Sequence, residues 1–249
     1  MRGLEFAKRN FKELYRDYLS LIFCLIFPII LFVVLQAIMK SIGVDMSHTP
    51  QFLIDNFTSG MIVFSFSFLS VFVGNTIALD RESSFMLRLK TTPMKPVDFI
   101  LGYTLAYLPV AVAQEILIIV CGLIFGLEIS IGIILMVLVM FPMALLFIGF
   151  GILFGLLVSS KGVGGLASML PTFTGLLGGI FFPLDLIDGG FANVCYSLPF
   201  ANMIKVGRCF ISNGYSDLLI PLIISFGYVV VVYVSSIFLL KYRLSSDRI

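Results

Sequence analysis

The chain has 249 residues, of which 59% are hydrophobic and 12% charged, and its mean hydropathy is +1.10. A soluble domain of this length could not hide that much apolar surface, so the composition excludes an ordinary soluble enzyme and predicts a polytopic membrane protein. The formal net charge is only +2. We expect a lipid bilayer around the chain and no nucleic-acid partner.

Residues 2–17 are predicted to form a helix, because apolar residues recur there at helical spacing. The apolar positions are Leu4, Ala7, Phe11, Leu14 and Tyr18. Five basic and three acidic residues fill the rest of this region. We expect residues 1–18 to lie in the membrane interface, with the apolar face in lipid and the basic face on anionic headgroups. A positively charged tail that only sets orientation is a compatible alternative.

Six apolar segments are each long enough to cross the hydrocarbon. They cover about 19–39, 56–79, 97–125, 131–158, 163–182 and 217–240. With six crossings, 13 of the 16 Lys/Arg fall on the side that carries both termini. The positive-inside rule therefore predicts a plasma-membrane protein with both termini in the cytoplasm. No apolar segment with a cleavage site is found near the N-terminus, so no removable signal peptide is expected.

A polar stretch, Asp80 to Gly102, interrupts the apolar segments of the first half. Its acids fall where a first helical turn favours acid, and its bases where a last turn favours base. Pro93 then ends the helix, since the residue before a proline avoids the α region. These signals predict a short amphipathic helix along the membrane surface, with one face free for another protein. An ordinary basic loop that orients two spans is the alternative.

This stretch resembles the first cytoplasmic loop of the ABC type-2 exporter permeases, the membrane halves of ATP-driven exporters. The matching residues are Asp80-Arg81-Glu82, then Ser83-Ser84, an apolar helix, and Thr92-Pro93. Such sequences often carry Gly where Ser84 stands and an acid where Leu87 stands. The resemblance implies a coupling helix within residues 80–96 that docks into a separate ATPase subunit. The residues implied in that contact are Asp80, Arg81, Glu82, Phe85, Arg88, Leu89, Thr92 and Pro93.

Residues 183–216 are too polar for a span and too apolar for a free loop. The run from Gly178 to Pro183, followed by Leu198-Pro199 and Arg208, resembles a second signature of the same family. It implies two re-entrant helices that close the exit, with outer-gate residues Phe181, Phe182, Pro183, Leu198 and Pro199. Non-helical backbone at membrane depth must be buried in protein or line a water-filled cavity. An outer amphipathic loop packed on the spans is the alternative.

Gln114 and Glu115 lie near the middle of the third span, where a carboxyl costs a few kcal/mol on insertion scales unless it is paired or wet. The two residues are a candidate intramembrane polar site, and the Glu115 carboxyl predicts either a substrate or proton site or a structural hydrogen bond to a neighbouring span. Three Gly-x-x-x-Gly pairs allow close helix approach, and packing within the chain is the expected use. They are Gly122/Gly126, Gly151/Gly155 and Gly175/Gly179.

No phosphate-binding Gly-x-x-x-x-Gly-Lys-[Ser/Thr] motif and no catalytic constellation occur, so the chain is not expected to be an enzyme. It should bind no cofactor itself, and ATP with Mg²⁺ would be used by the partner subunit. The four cysteines are far apart and His48 is the single histidine, so no metal site is expected. Cys195 and Cys209 are both predicted to lie outside, either paired or as two free thiols.

These observations predict one all-α permease domain, residues 1–249, with an interface helix, a coupling helix, six transmembrane helices and re-entrant outer helices between spans five and six. The resemblance, to the drug and antibiotic efflux branch, implies a homo- or heterodimer with ATPase subunits. An apolar or amphipathic small molecule or lipid is the expected cargo. A glycan or teichoic-acid precursor is the alternative within the family. Outside the family, an ATP-independent secondary transporter using Glu115 and a non-transporting membrane assembly factor remain open.

Overall fold

The computed structural model describes residues 2–42, 49–83, 94–184, 190–212 and 214–245. Over these residues the chain forms nine α-helices and two short 3₁₀-helices and contains no strand. The α-helices are α1 Arg2–Arg16, α2 Tyr18–Ile42, α3 Ile54–Glu82, α4 Pro96–Phe125, α5 Ile131–Leu157, α6 Ser160–Leu177, α7 Gly190–Ser197, α8 Pro199–Ile211 and α9 Leu219–Ser245. The 3₁₀-helices are Pro50–Phe52 and Tyr215–Asp217. The predicted all-α class is confirmed for this part of the chain.

Within the described residues, five helices are long and apolar enough to cross a membrane: α2, α3, α4, α5 and α9. The predicted fifth span, about 163–182, is not confirmed, because the helix at this position, α6, runs from Ser160 to Leu177 and is not one of these five. The helix stops where two glycines follow, and Gly179 adopts a left-handed φ of 73°. The 18 residues of α6 include four glycines and four hydroxyl residues, which lower its hydropathy.

The ends of α4 illustrate why the helices form where they do. Pro96 occupies the first turn, where its missing N–H costs nothing. The backbone N–H of Lys95 donates to Asp98 Oδ2 at 3.0 Å, which fixes the entry of the chain into the helix. The C-terminal cap is Gly126, with a φ of 110° that a glycine adopts without strain.

The core is organised around α3, which packs against α2, α4, α5, α6 and α8. Its closest neighbour is α5, because two glycines of α5 let the backbones meet. A Cβ at Gly151 would lie 2.7 Å from the Ser70 carbonyl oxygen, and one at Gly155 would lie 2.6 Å from the Gly74 carbonyl oxygen. The prediction that this Gly-x-x-x-Gly pair serves packing within the chain is confirmed.

Helix α1 lies along α4, and its apolar residues divide between two surroundings. Ala7 and Leu14, predicted to face lipid, are buried in the protein together with Phe6. Leu4 and Phe11, by contrast, are 57% and 42% exposed. The prediction that all these apolar residues face lipid is therefore wrong. Periodicity does not distinguish apolar residues that contact protein from those that contact lipid.

The predicted outer segment, 183–216, contains α7 and α8. Helix α8 is buried along most of its length against α3, α5 and α9. Its first residue, Pro199, follows the N-cap Leu198. The side-chain amide of Asn202 donates to the carbonyl oxygens of Tyr196 and Leu198, both at 2.7 Å, and so holds the turn between the two helices.

Candidate functional site

The acidic-basic-acidic tripeptide Asp80-Arg81-Glu82 forms the last turn of α3. We expected Asp80 and Glu82 in the first turn of a separate helix, and that expectation is wrong. An acid in a last turn is unfavourable for the helix dipole, so these side chains need other partners. The structure supplies them from four other helices.

Asp80 joins α3 to α1 and α4. Its Oδ2 accepts a hydrogen bond from the Tyr103 hydroxyl at 2.6 Å, and its Oδ1 lies 3.5 Å from the Arg9 guanidinium. Arg9 also donates to Glu13 at 2.6 Å within α1. Because the Asp80 side chain is only 14% exposed, solvent screens this ion pair less than a surface pair.

Arg81 and Glu82 satisfy the ends of α5 and α6. The two Arg81 Nη atoms donate to the carbonyl oxygens of Leu156 and Val158, each at 2.6 Å, at the end of α5 where carbonyls lack helical partners. The Glu82 carboxylate accepts from the Ser160 backbone N–H at 2.7 Å and from its hydroxyl at 2.5 Å. A carboxylate is favourable at the start of a helix, as Glu82 is at the start of α6.

The other residues implied in coupling lie outside the described residues. They are Phe85, Arg88, Leu89, Thr92 and Pro93. Their contact with an ATPase, and that of the tripeptide, stays a prediction. In the described part, the side chains of Asp80, Arg81 and Glu82 are all used by the chain's own helices.

A ring cluster anchors α1 beside this turn. Phe6 stacks on Phe99 with centroids 4.9 Å apart and meets Tyr103 edge-on at 5.1 Å. The ring lies directly over Gly102, where a Cβ would be only 2.2 Å from Phe6 Cδ1. Gly102 is therefore required for α1 to approach α4, and Tyr103 connects the same cluster to Asp80.

A cavity of about 690 Å³ lies between α2, α3 and α6. Its wall consists of Phe23, Phe27, Leu31, Phe64, Phe68, Val71, Phe72, Ser168, Pro171, Thr172, Leu176 and Phe181. The two hydroxyl groups of this wall donate to carbonyl oxygens of their own helix, so their hydrogens are already used. Such a wall offers no charged partner and suits an apolar or aromatic molecule.

The predicted outer-gate residues take different positions. Phe181 lines the cavity and contacts the Phe64 ring edge-on at 5.9 Å, whereas Phe182 is 52% exposed. Pro183 lines a smaller polar cleft that Arg208 also borders. Leu198 is the N-cap of α8 and Pro199 is its first residue, and neither lines the cavity. Of the five, the structure therefore brings only Phe181 to the cavity wall.

Gln114 and Glu115 are both buried in α4. The Gln114 side chain donates to the Cys24 carbonyl oxygen of α2 at 3.0 Å. That carbonyl has no helical partner because the residue four positions later is Pro28, which lacks an N–H. Gln114 therefore makes a structural hydrogen bond to a neighbouring helix. Glu115 Oε1 is buried without a hydrogen-bond partner among the described residues, and its role stays a prediction.

Among the described residues, no cluster of three or more His, Cys, Asp or Glu could hold a metal ion. Cys195 and Cys209, for which a pair or two separate thiols had been foreseen, are both buried free thiols.

A family model described as ABC-2 type transporter matches residues 4–209. The chain belongs to the ABC-2 type transporter family. The match covers more than four fifths of the chain, from α1 into α8, and confirms the family inferred from the motif that begins in the last turn of α3 and from the motif after α6. No curated protein matches the sequence. As an ABC-2 member with five apolar helices in its described part, the chain is a multi-pass membrane permease and a transport component.

Sequence reasoning did not identify which phenylalanines form the aromatic wall of this ABC-2 permease. A signal existed, because Phe64, Phe68 and Phe72 recur at four-residue spacing and Phe23 and Phe27 repeat it in α2. It was indistinguishable from a lipid-facing aromatic row, since α2, α3 and α6 are brought together only by the fold. Arg9, Gly102 and Ser160 gave no local signal, because each acts on a residue more than 70 positions away in the chain.

Proposed function

We propose that this ABC-2 permease is the membrane half of an ATP-driven exporter for apolar or amphipathic small molecules. ATP is hydrolysed by a separate subunit, and two permease subunits, identical or different, form the transport path. The observation that carries the cargo class is the aromatic cavity between α2, α3 and α6. A glycan or teichoic-acid precursor fits less well, because the wall is otherwise aromatic and aliphatic and its two hydroxyl groups already donate within their own helix.

In the proposed mechanism, the end of α3 passes motion of the ATPase subunits to the other helices. Closure of the ATPase subunits displaces the cytoplasmic end of α3, which is bonded to α1, α4, α5 and α6. The cavity lined by α3 and α6 then changes shape, and its cargo leaves toward the outer helices α7 and α8. Phe181 lies between the cavity and this outer segment and would be the first residue displaced.

The proposal includes six crossings and two cytoplasmic termini. Helix α6 has 18 residues, a length of ~27 Å at 1.5 Å per residue, close to the ~30 Å hydrocarbon thickness. Its glycines and hydroxyl groups are tolerated at membrane depth because α3 and α5 pack against it. Counting α6 as the fifth crossing puts residue 2 and residue 245 on the same side.

Uptake of rhodamine 6G into inside-out vesicles that contain the permease and its ATPase tests this function. We expect uptake with ATP and Mg²⁺ and none with an imposed pH gradient alone. Phe68→Ala removes a cavity ring and should weaken the apparent affinity for the dye by about tenfold, because a buried ring is worth about 1.5 kcal/mol or more. Phe238→Ala is the matched control, since that ring is exposed on α9. Equal effects of the two substitutions would contradict the cavity as the cargo site.

One observation favours a second function, a secondary transporter driven by protons. A buried carboxyl with an unpartnered oxygen, Glu115, lies in the middle of α4, and intramembrane carboxyls commonly serve in proton relays. The same vesicles separate the two functions. Dye accumulation driven by the pH gradient without ATP would establish the secondary transporter.

A further inference from the structure

We infer that Asp80-Arg81-Glu82 acts as an intramolecular clamp, and that it transmits motion of the α3 end to the cavity wall instead of serving as a contact surface for the ATPase. The inference rests on the proposed exporter function and deepens it. It assigns these three residues a positioning role within the permease. The resemblance alone implied that they contact the partner subunit.

The three side chains of the last turn of α3 point in different directions. Successive residues of an α-helix point about 100° apart, so three consecutive side chains reach three sides of α3. Asp80 reaches Tyr103 of α4 and Arg9 of α1. Arg81 reaches the end of α5, and Glu82 reaches the start of α6. Five helix segments are therefore joined within a single turn.

Arg81 and Glu82 are bonded to the ends of other helices. Arg81 and Glu82 bind helix-end carbonyl and N–H groups, which have no partner within their own helices. Their bonds of 2.5 to 2.7 Å are charge-assisted and short. A side chain engaged in this way cannot bind an ATPase without first leaving its own helix end exposed. The bonds thus favour a role inside the permease.

The consequence for the cavity is specific. The clamp joins α3 to α6, and these helices form two of the three cavity walls. The hydrogen bonds of the tripeptide described above reach α1, α4, α5 and α6 and do not reach α2. Displacing the α3 end therefore moves α3 and α6 together, and the cavity changes shape by their motion relative to α2.

Cysteine accessibility in the cavity wall tests the clamp without requiring the natural cargo. Ser168 of α6 lines the cavity and is exposed, and the four native cysteines are buried. The complex of Ser168→Cys permease with its ATPase is placed in nanodiscs and labelled with fluorescein maleimide, with or without ATP, Mg²⁺ and vanadate. Permease without Ser168→Cys gives the background. The ATPase retained per permease is measured in the same samples.

We expect nucleotide to change the labelling rate in the Ser168→Cys protein and this change to be lost when Glu82→Gln is added. The amount of bound ATPase should stay the same. Glu5→Gln is the matched control and should retain the nucleotide effect, because among the described residues that exposed carboxylate pairs only with Lys8 of its own helix. Ser160→Ala removes one of the two bonds and keeps the backbone N–H, so it should give a partial loss.

Two results would overturn the clamp. The first is that Glu82→Gln keeps the full nucleotide effect. The second is that Glu82→Gln releases the ATPase while Glu5→Gln does not, because Glu82 would then be a contact to the partner subunit. If Glu82→Gln does not fold, Ser160→Ala decides alone, and an unchanged nucleotide effect in it contradicts the clamp. Failure of the exporter proposal looks different, because no nucleotide effect would then occur in the Ser168→Cys protein itself. In that case a double-mutant cycle of Glu82→Gln and Ser160→Ala in thermal unfolding still tests the bond, and additive effects would refute it.

Discussion

The contact of Phe6 with Gly102 gives the sharpest prediction for the docking of α1. In Gly102→Ala the new methyl group would lie 2.2 Å from Phe6 Cδ1, far inside van der Waals contact. The ring cannot turn aside easily, because Phe99 and Tyr103 hold it on two sides. We therefore expect the substitution to expel Phe6 and loosen α1 from α4.

The magnitude follows from what the ring loses. Phe6 is 6% exposed, and burial of such a side chain is worth about 1.5–3 kcal/mol. Its two ring pairs add about 0.5–1.5 kcal/mol each beyond burial. The docking of α1 should thus weaken by about 2.5–6 kcal/mol, less where lipid takes the place of the lost contacts.

Tryptic cleavage at Lys8 and Lys12 measures this docking, because a protease cuts a helix only after it opens locally. Cleavage in Gly102→Ala should be at least about tenfold faster than in the wild type, the factor that corresponds to 1.4 kcal/mol. Gly164→Ala is the matched control, since a Cβ there meets no atom within 4 Å. In a Phe6→Ala background, Gly102→Ala should add little. The reasoning is refuted if Gly102→Ala accelerates cleavage equally with and without the ring.

Three further predictions concern the membrane-spanning helices and their orientation. Gln114→Leu leaves the buried Cys24 carbonyl unsatisfied and should lower the free energy of unfolding by about 1–3 kcal/mol in thermal melts. Pro28→Ala should reduce that loss, because it restores the missing N–H. Equal losses with and without Pro28→Ala would contradict this account of the bond. An impermeant maleimide should label Ser216→Cys on intact cells and Ser159→Cys only after permeabilisation, in a background without native cysteines; the reverse pattern would invert the topology. Glu115→Gln should fold and keep ATP-dependent dye uptake, and gradient-driven uptake that disappears in this variant would favour the proton relay.

The positions of most spans could be predicted, because an apolar run of about 20 residues in a chain of this composition has few alternatives to a membrane helix. The beginnings of α4 and α5 fall within one residue of the expected 97 and 131. The end of α3 could not be predicted in this way. Asp80 and Glu82 fit the first turn of a new helix by local rules, and partners distant in sequence, Tyr103 and Ser160, hold them in a last turn instead.

The candidate site shows the same limit. The family and its motifs could be read from residues 80–93 and 178–208, because they depend on order along the chain. The cavity depends on the proximity of Phe27 to Phe68, whose rings lie 5.0 Å apart across two helices. Apolar rows that face lipid and apolar rows that face a cavity have the same periodicity, so only the fold separates them.

The bond between Gln114 and Cys24 has a consequence for biosynthesis. Its donor is translated 90 residues after its acceptor, an interval of roughly 5–18 s at ribosomal rates of about 5–20 residues per second. Throughout that interval Pro28, which lacks an N–H, leaves a carbonyl group unsatisfied in a newly inserted helix. Water, lipid headgroups or the insertion machinery must solvate it until α4 arrives. Helix α3, which is synthesised next, therefore enters the bilayer beside α2 before the Cys24 carbonyl has its hydrogen-bond donor. Slowing translation between residues 83 and 114 should lengthen the exposure of α2 to membrane quality control.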